Sequence, residues 1–412
     1  MTISPAIEAT RRLDETRSYL AGVRQAGEVM QGVSSERYLH AGPPLGSDGP
    51  PGPMRGALAA VLVFEGRCST ISEAERLIDA GGIELGSTHD SHAVGAVAGI
   101  ISPSMPVVVV QSDNGHEAFS PLNEGLGKVI RMGATDPEAI DHLRWMRDVL
   151  APTLDRAVQK QEDPIEITGV QAEGLRRGDE CHNRNVASSA VLICRLAATI
   201  CEVAFSPQVA GAVLNAAANN PHFFLPFSMA SAKAVALSAH GIEGSPIVTV
   251  MSSNGRNFGI RVSGTGDTWY TAPASVGNPK LFDGFKLSDA HPAMGDSFIT
   301  ECIGLGACAM TAAPAIGSFL GTTQAQAREV VEEASRQTTA RSSRFLVPFD
   351  DYAGTPIGID INRVVALGAG PFANNGVAHR EAGRGQVGAS LTRLPVEMFN
   401  DAAAGLLDVV VA

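Results

Sequence analysis

The chain has 412 residues with 44% hydrophobic content, enough to bury a substantial core and to form two or three domains. Its formal net charge of -12 excludes nucleic acid or an anionic membrane surface as a partner held by bulk electrostatics, so an anionic ligand has to be met locally. Six cysteines without a CxxC pair, two of them (Cys194 and Cys201) inside an apolar stretch, suit reduced core thiols in a cytosolic protein.

In chain order, residues 1–33 read as polar and helical, with scattered charges and no apolar segment of the signal-peptide kind. LHAGPPLGSDGPPGP (39–53) is a shaped loop, and ALAAVLVFEG (57–66) is a buried strand or a short core helix. A capping box from Ser72 to Glu75 opens a helix that Gly81 and Gly82 end. PVVVVQ (106–111) is a buried strand by its β-branched content, with a turn at Asp113, Asn114 and Gly115. Residues 121–160 form a helical block in which Asp136 caps, Pro137 takes the first position, and Ile140, Leu143 and Met146 recur at helical spacing.

Helices are expected over 186–205, 207–218 and 225–240; the first carries Arg195 and Glu202 and is a poor membrane span, better read as buried. Asn254 and Gly255 turn a hairpin across 247–264. A Gly/Ala-rich helix near 298–320, an amphipathic helix near 323–340 and two further strands complete the chain. Strands and helices alternate without a regular βαβ rhythm, which gives an α+β fold of several subdomains with mixed sheets, not a doubly wound one. The expected divisions are an N-terminal α/β region (1–120), a small helical subdomain (121–180) and a C-terminal α+β domain (181–400).

No P-loop, GxGxxG, GxSxG, HExxH or zinc-type cysteine set is present, so no cofactor or metal is assigned. Four polar clusters lie against apolar sequence: His89, Asp90 and His92; His182, Asn183, Arg184 and Asn185; Arg256, Arg261 and Asp267; and His379 with Arg380 and Glu381. Histidines are often part-buried without any function, but four such clusters in a chain poor in charge favour a site. His89 and His92 would share a helix face and could bind a metal with Asp90, although no third ligand is evident. Arg184, Arg256 and Arg261 offer planar forks for carboxylate or phosphate, and Arg261 points away from Ile260 and Val262, to solvent or a cleft. DECHNRN (179–185) is expected to floor a site, with His182 and Arg184 facing the same cavity as Arg261.

HAGPP, ISPSMPVVVV, LNEGLGKVIRMGA, GDECHNRN, NNPHFFLPFSMASAKA, NGRNFGIRVSGTGDTWYTAPA and GVAHREAGRGQVGA, in this order, resemble the family that includes the YlbE-type subunit of bacterial oxamate carbamoyltransferase. The resemblance covers roughly residues 25–400 and implies a cytosolic, multi-subunit enzyme of allantoin breakdown. It would exchange a carbamoyl group between oxalurate and phosphate, acting with an FdrA-type partner and forming homo-oligomers. On that basis His89, His182 and His379 are candidate acid–base groups, while Asp90, Asn183, Arg184, Asn185, Arg256, Arg261, Asp267 and Glu381 are candidate substrate-binding groups. Where the family pattern resembles Pro-Cys-His-x-His, this chain has Ser87, Thr88, His89, Asp90 and Ser91, which allows a different carbamoyl, ureido or imide substrate. A hydrolase or cyclase working without phosphate and a non-catalytic scaffold are the competing readings.

Overall fold

The computed structural model of the chain describes residues 3–411. The fold is α+β, with small separate sheets among many helices. The first sheet is antiparallel, in the order Ser18–Gln25, Pro106–Ser112, Glu117–Pro121. Its middle strand is the valine run, and Val107, Val108 and Val110 are fully buried, each contributing about 1.5–3 kcal/mol by leaving water. The expected hairpin forms from Val248–Asn254 and Asn257–Val262, with Gly255 supplying a φ of 82° at the turn. Met294–Gly295 pairs with its first strand and Tyr270–Pro273 with its second.

One parallel pair positions the site. Arg37–His40 lies beside Glu84–Ser87 with His40 opposite Ser87, so both strands end at the same point. The short 3-10 turn Thr88–Ser91 follows immediately and carries His89 into the interior, with Asp90 at its exposed edge.

Several local expectations are corrected. Residues 18–25 are a strand, because the polar helix stops at Glu15. Of the two forms open to 57–66 the helix is the one found, over residues 57–64 within Gly52–Phe64, where Pro53 takes an early position that needs no amide donor. The cap of the next helix is Thr70, not Ser72: its hydroxyl accepts from the Glu73 amide, while the Glu73 carboxylate accepts from Ser69. Asp136 stands at a helix start but makes no side-chain cap bond. The Gly/Ala-rich segment is three short pieces, Ile299–Cys302, Gly306–Ala312 and Ile316–Leu320, broken where Gly304 and Gly306 take positive φ. The C-terminal region also holds the helix Glu397–Val411, and its strands number four where two were expected.

Val186–Val203 is long and apolar enough to cross a membrane, yet it packs one face inward through Val191, Leu192, Leu196 and Ile200. Its other face leaves Cys194 and Cys201 exposed, which corrects their reading as core thiols. The apolar character of the stretch hid a helix with two different surroundings.

Two large hydrophobic cores share the helix Leu225–Ser238. Phe227, Ala230 and Ala234 belong to one core, while Leu225, Met229, Ala232, Val235 and Ala236 belong to the other. Every residue of this helix except Leu237 is buried, as expected of a helix apolar all round. Its single charged residue, Lys233, therefore lies at the seam between the cores.

Candidate active site

At that seam the carboxylate of Asp296 gathers the chain. Oδ1 accepts from the Gly42 amide at 2.7 Å and from the Ser252 hydroxyl; Oδ2 accepts from the Gly95 amide at 2.8 Å and from the Thr88 hydroxyl at 2.6 Å. His89 Nε2 lies 3.1 Å from Oδ1, and His89 Nδ1 lies 3.4 Å from the Lys233 ammonium nitrogen. An acceptor on one ring nitrogen and an ammonium on the other fix the tautomer: Nε2–H donates to Asp296, and Nδ1 accepts from Lys233.

All three groups are buried. Burial pulls Lys233 down to about 8, helped by Arg261, and pulls His89 down to about 4 against the pull of Asp296. Burial alone would raise Asp296, but His89 and the hydroxyl donors outweigh it and hold the carboxyl below its ordinary range. At neutral pH the chain is thus an ionised aspartate, a neutral imidazole and an ammonium near its titration point.

The backbone is strained around this point. His92 and Val97 take φ of 54° and 55°, the latter a β-branched residue in the left-handed region. Gly42 takes φ 95°, and a Cβ there would lie 2.3 Å from the Asn254 amide nitrogen.

Arg261 completes the cluster. It points into the cleft, not to solvent, and its guanidinium lies over the Trp269 ring at 4.5 Å. The fork is held by Asp90 at 2.5 Å and Asp267 at 3.0 Å, while its buried Nε has no partner among the described residues. His240 reaches Asp267 at 3.4 Å and Thr249 at 2.8 Å. The buried Nε1–H of Trp269 also lacks an acceptor among the described residues, whereas the unpartnered Nε2 of His40 is a lone pair, because its Nδ1–H goes to the Ala41 carbonyl at 2.8 Å. The unmatched donors of Trp269 and Arg261 beside an ammonium are what an anion would complete.

The structure therefore brings together His89, Asp90, Arg261 and Asp267. It adds Lys233, Asp296, Trp269 and His240, which the sequence reading did not select. The signal for Lys233 was one charge inside FFLPFSMASAKAVALS; Asp296 gave none. Both ring nitrogens of His89 are engaged by Asp296 and Lys233, which leaves none for a metal shared with His92.

DECHNRN forms a second network. Asp179 accepts from the Ser188 amide and hydroxyl, tying down the start of the following helix. Glu180 accepts from the amides of His182 and Arg184, and Asn185 donates to the His182 carbonyl. Arg184 is half-exposed and spends Nε on the Gly178 carbonyl at 3.0 Å, with Asp179 at 3.6 Å. His182 turns inward to Glu301 at 3.0 Å. Burial alone would lower that imidazole, but the Glu301 carboxylate outweighs burial and raises it; burial lifts Glu180 to about 7. No hydrogen bond or ion pair among the described residues joins His182 or Arg184 to Arg261.

Arg256, His379 and Glu381 lie in a third region. Arg256 donates to the Gly49 and Asp48 carbonyls and so pins the proline-rich loop. His379 Nδ1 accepts from the Glu381 amide, and the exposed Glu381 carboxylate faces Arg384 at 3.7 Å. Neither group makes a hydrogen bond to the His89 cluster among the described residues.

A profile of the family described as oxamate carbamoyltransferase subunit AllG matches residues 83–297, a span that holds His89, His182, Lys233, Arg261 and Asp296. The chain is 39% identical to the oxamate carbamoyltransferase subunit AllG of Escherichia coli (strain K12), over 98% of this chain and 96% of that protein. It is 37% identical to the uncharacterized protein YahG of the same organism, over 97% of this chain and 84% of the relative. Its fold matches the crystal structure of a conserved protein of unknown function from Enterococcus faecalis V583, with TM-score 0.95 at 38% identity, over 98% and 97% of the two chains. With a family profile over half its length and a close relative over nearly all of it, this chain belongs to the AllG family of oxamate carbamoyltransferase subunits.

Proposed function

We propose that the chain is the subunit of an oxamate carbamoyltransferase-like enzyme in which the transfer takes place, at the seam of the two cores beside Lys233. The observation that carries this reading is the buried relay Asp296–His89–Lys233 next to the partly unpartnered Arg261. Oxalurate, oxamate, phosphate and carbamoyl phosphate are all anions, and a globally acidic protein needs such a local cationic cleft to hold them.

In the direction of carbamoyl phosphate, a phosphate oxygen bonds to the carbamoyl carbon of oxalurate and the bond to the oxamate nitrogen breaks. The Lys233 ammonium gives a proton to that nitrogen and takes back the one that the phosphate gives up, so no charge is created or lost overall, while His89 Nδ1 holds the amine in place. Arg261 and the Lys233 ammonium face the negative charge that develops on the carbamoyl oxygen, where low dielectric strengthens each interaction. Asp296 acts through His89, as the group that orients the ring.

This reading also carries a cytoplasmic setting in allantoin breakdown, an FdrA-type partner subunit and a homo-oligomeric state. The family membership supports it. The test is turnover of oxalurate with and without phosphate, by the purified chain alone and with the partner subunit added. Turnover that needs phosphate and vanishes in Lys233→Met supports the reading; phosphate-independent loss of oxalurate favours a hydrolase, and full activity in Lys233→Met assigns the chemistry to another subunit.

A further inference from the structure

Around His182 the structure leaves a set of buried polar atoms unmatched. Asn183 Nδ2, Asn185 Oδ1, both polar side-chain atoms of Asn374, and His222 Nδ1 have no hydrogen-bond partner among the described residues, and all four residues are at least nine-tenths buried. Buried polar groups are nearly always paired, so five unpaired atoms near one imidazole call for a cause.

The contacts place these residues around His182. Asn183 flanks His182, and Asn185 donates to the His182 carbonyl at 2.6 Å. The Asn374 backbone N–H donates at 3.0 Å to the same Glu301 oxygen that lies 3.0 Å from His182 Nδ1. His222 is close enough to feel the charge of His182. The ring is set from behind by Glu301, and Nε2 has no protein partner among the described residues.

The chemistry of the unmatched atoms selects the ligand. Amide nitrogens offer hydrogens and amide oxygens offer lone pairs, side by side. A planar group carrying both a carbonyl and an NH₂ satisfies such a set, whereas a carboxylate or phosphate would leave the oxygens unpaired. The neighbouring carboxylates of Glu180 and Glu301 also oppose an anion here. We propose that the surroundings of His182 form a second binding site, for the neutral carboxamide or ureido end of a small molecule, separate from the cationic cleft at Lys233. The choice of oxamate as probe rests on the carbamoyltransferase reading; the site itself rests on the unmatched atoms.

The segment 296–301 gives the two sites a common frame. Asp296 orients His89 and Glu301 orients His182 from its two ends, with Phe298 between them, edge-on to His182 at 6.4 Å.

The test is calorimetric titration of oxamate and of acetamide into the full chain, its Asn374→Leu variant and its Lys233→Met variant. Leucine matches asparagine in size and carries no polar atom, so the variant is expected to fold. Wild type should bind both amides, and Asn374→Leu should lose about tenfold in affinity for each, the equivalent of one hydrogen bond. Lys233→Met, in the other cleft, should leave acetamide binding unchanged. Unaltered binding in Asn374→Leu, or no acetamide binding by wild type, overturns the second site, since the unmatched atoms would then serve only buried water. Neither result touches the reading of the Lys233 cleft, which phosphate-dependent turnover decides. If Asn374→Leu does not fold, Asn183→Leu gives the same two outcomes.

Discussion

Lys233 offers a test in which stability and activity move in opposite directions. Burial lowers its ionisation from the 10.5 of a free lysine to about 8, which converts to about 3 kcal/mol of penalty for holding the ammonium in the folded state at pH 7. Between pH 8 and 10.5 the unfolded chain binds the proton that the folded chain has released, so wild-type stability rises with pH across that window. Lys233→Met keeps the length of the side chain and removes the penalty. It also deprives His89 Nδ1 of its partner at 3.4 Å, a loss of about 1 kcal/mol. The variant should therefore be about 2 kcal/mol more stable than wild type at pH 7. By pH 9.5 the remaining penalty is only about 1.4 kcal/mol, so the advantage should shrink almost to nothing. Urea unfolding at the two pH values measures both numbers, and an assay on the same preparations should find activity lost. A variant less stable than wild type at pH 7, with a gap that pH does not change, would refute the idea of a charged amine held at the seam.

The same substitution at two arginines should give contrary results. Arg261→Lys keeps the charge but loses the fork on Asp90 and Asp267 and the stacking on Trp269, so kcat/KM should fall about 30-fold, for a loss near 2 kcal/mol, while the fold survives. Arg184→Lys loses a bond to the Gly178 carbonyl at the protein surface, so it should melt earlier, by about 1 kcal/mol, with kcat/KM unchanged. Paired melting curves and steady-state kinetics decide both.

Legibility in the sequence followed the range of the interactions. The valine strand and the Asn254–Gly255 hairpin were readable because their causes are local: β-branching and a residue free to take positive φ. The 298–320 segment was misread because alanine content says helix while Gly304 and Gly306 say break, and packing favours the glycines. The outward face of Val186–Val203 could not be read at all, since composition is silent on which side meets solvent. Within the site, His89 and Arg261 stood out as polar residues against apolar runs. Their partners did not, because Asp296 lies 207 residues from His89 and Lys233 lies 144 residues from it, and no spacing rule reaches so far. DECHNRN drew notice for its density of polar groups. Much of that density is used up in knitting its own turn, and it is the inward histidine that remains available.

The carboxylates on Arg261 shape what the cleft can accept. Asp90 is 44% exposed and Asp267 is 83% exposed, whereas the guanidinium is 5% exposed. An exposed carboxylate gives up a partner at small cost because water replaces the bond. A buried guanidinium cannot do so, and its two terminal nitrogens stay on the aspartates until a ligand replaces them. An arriving anion can therefore take the fork of Arg261 while the two aspartates turn to solvent, and can also meet the Nε left unpartnered in the empty site. The arrangement favours an anion that also reaches Lys233: displacing the aspartates returns two negative charges to water, and only a ligand that neutralises both cations replaces what they supplied.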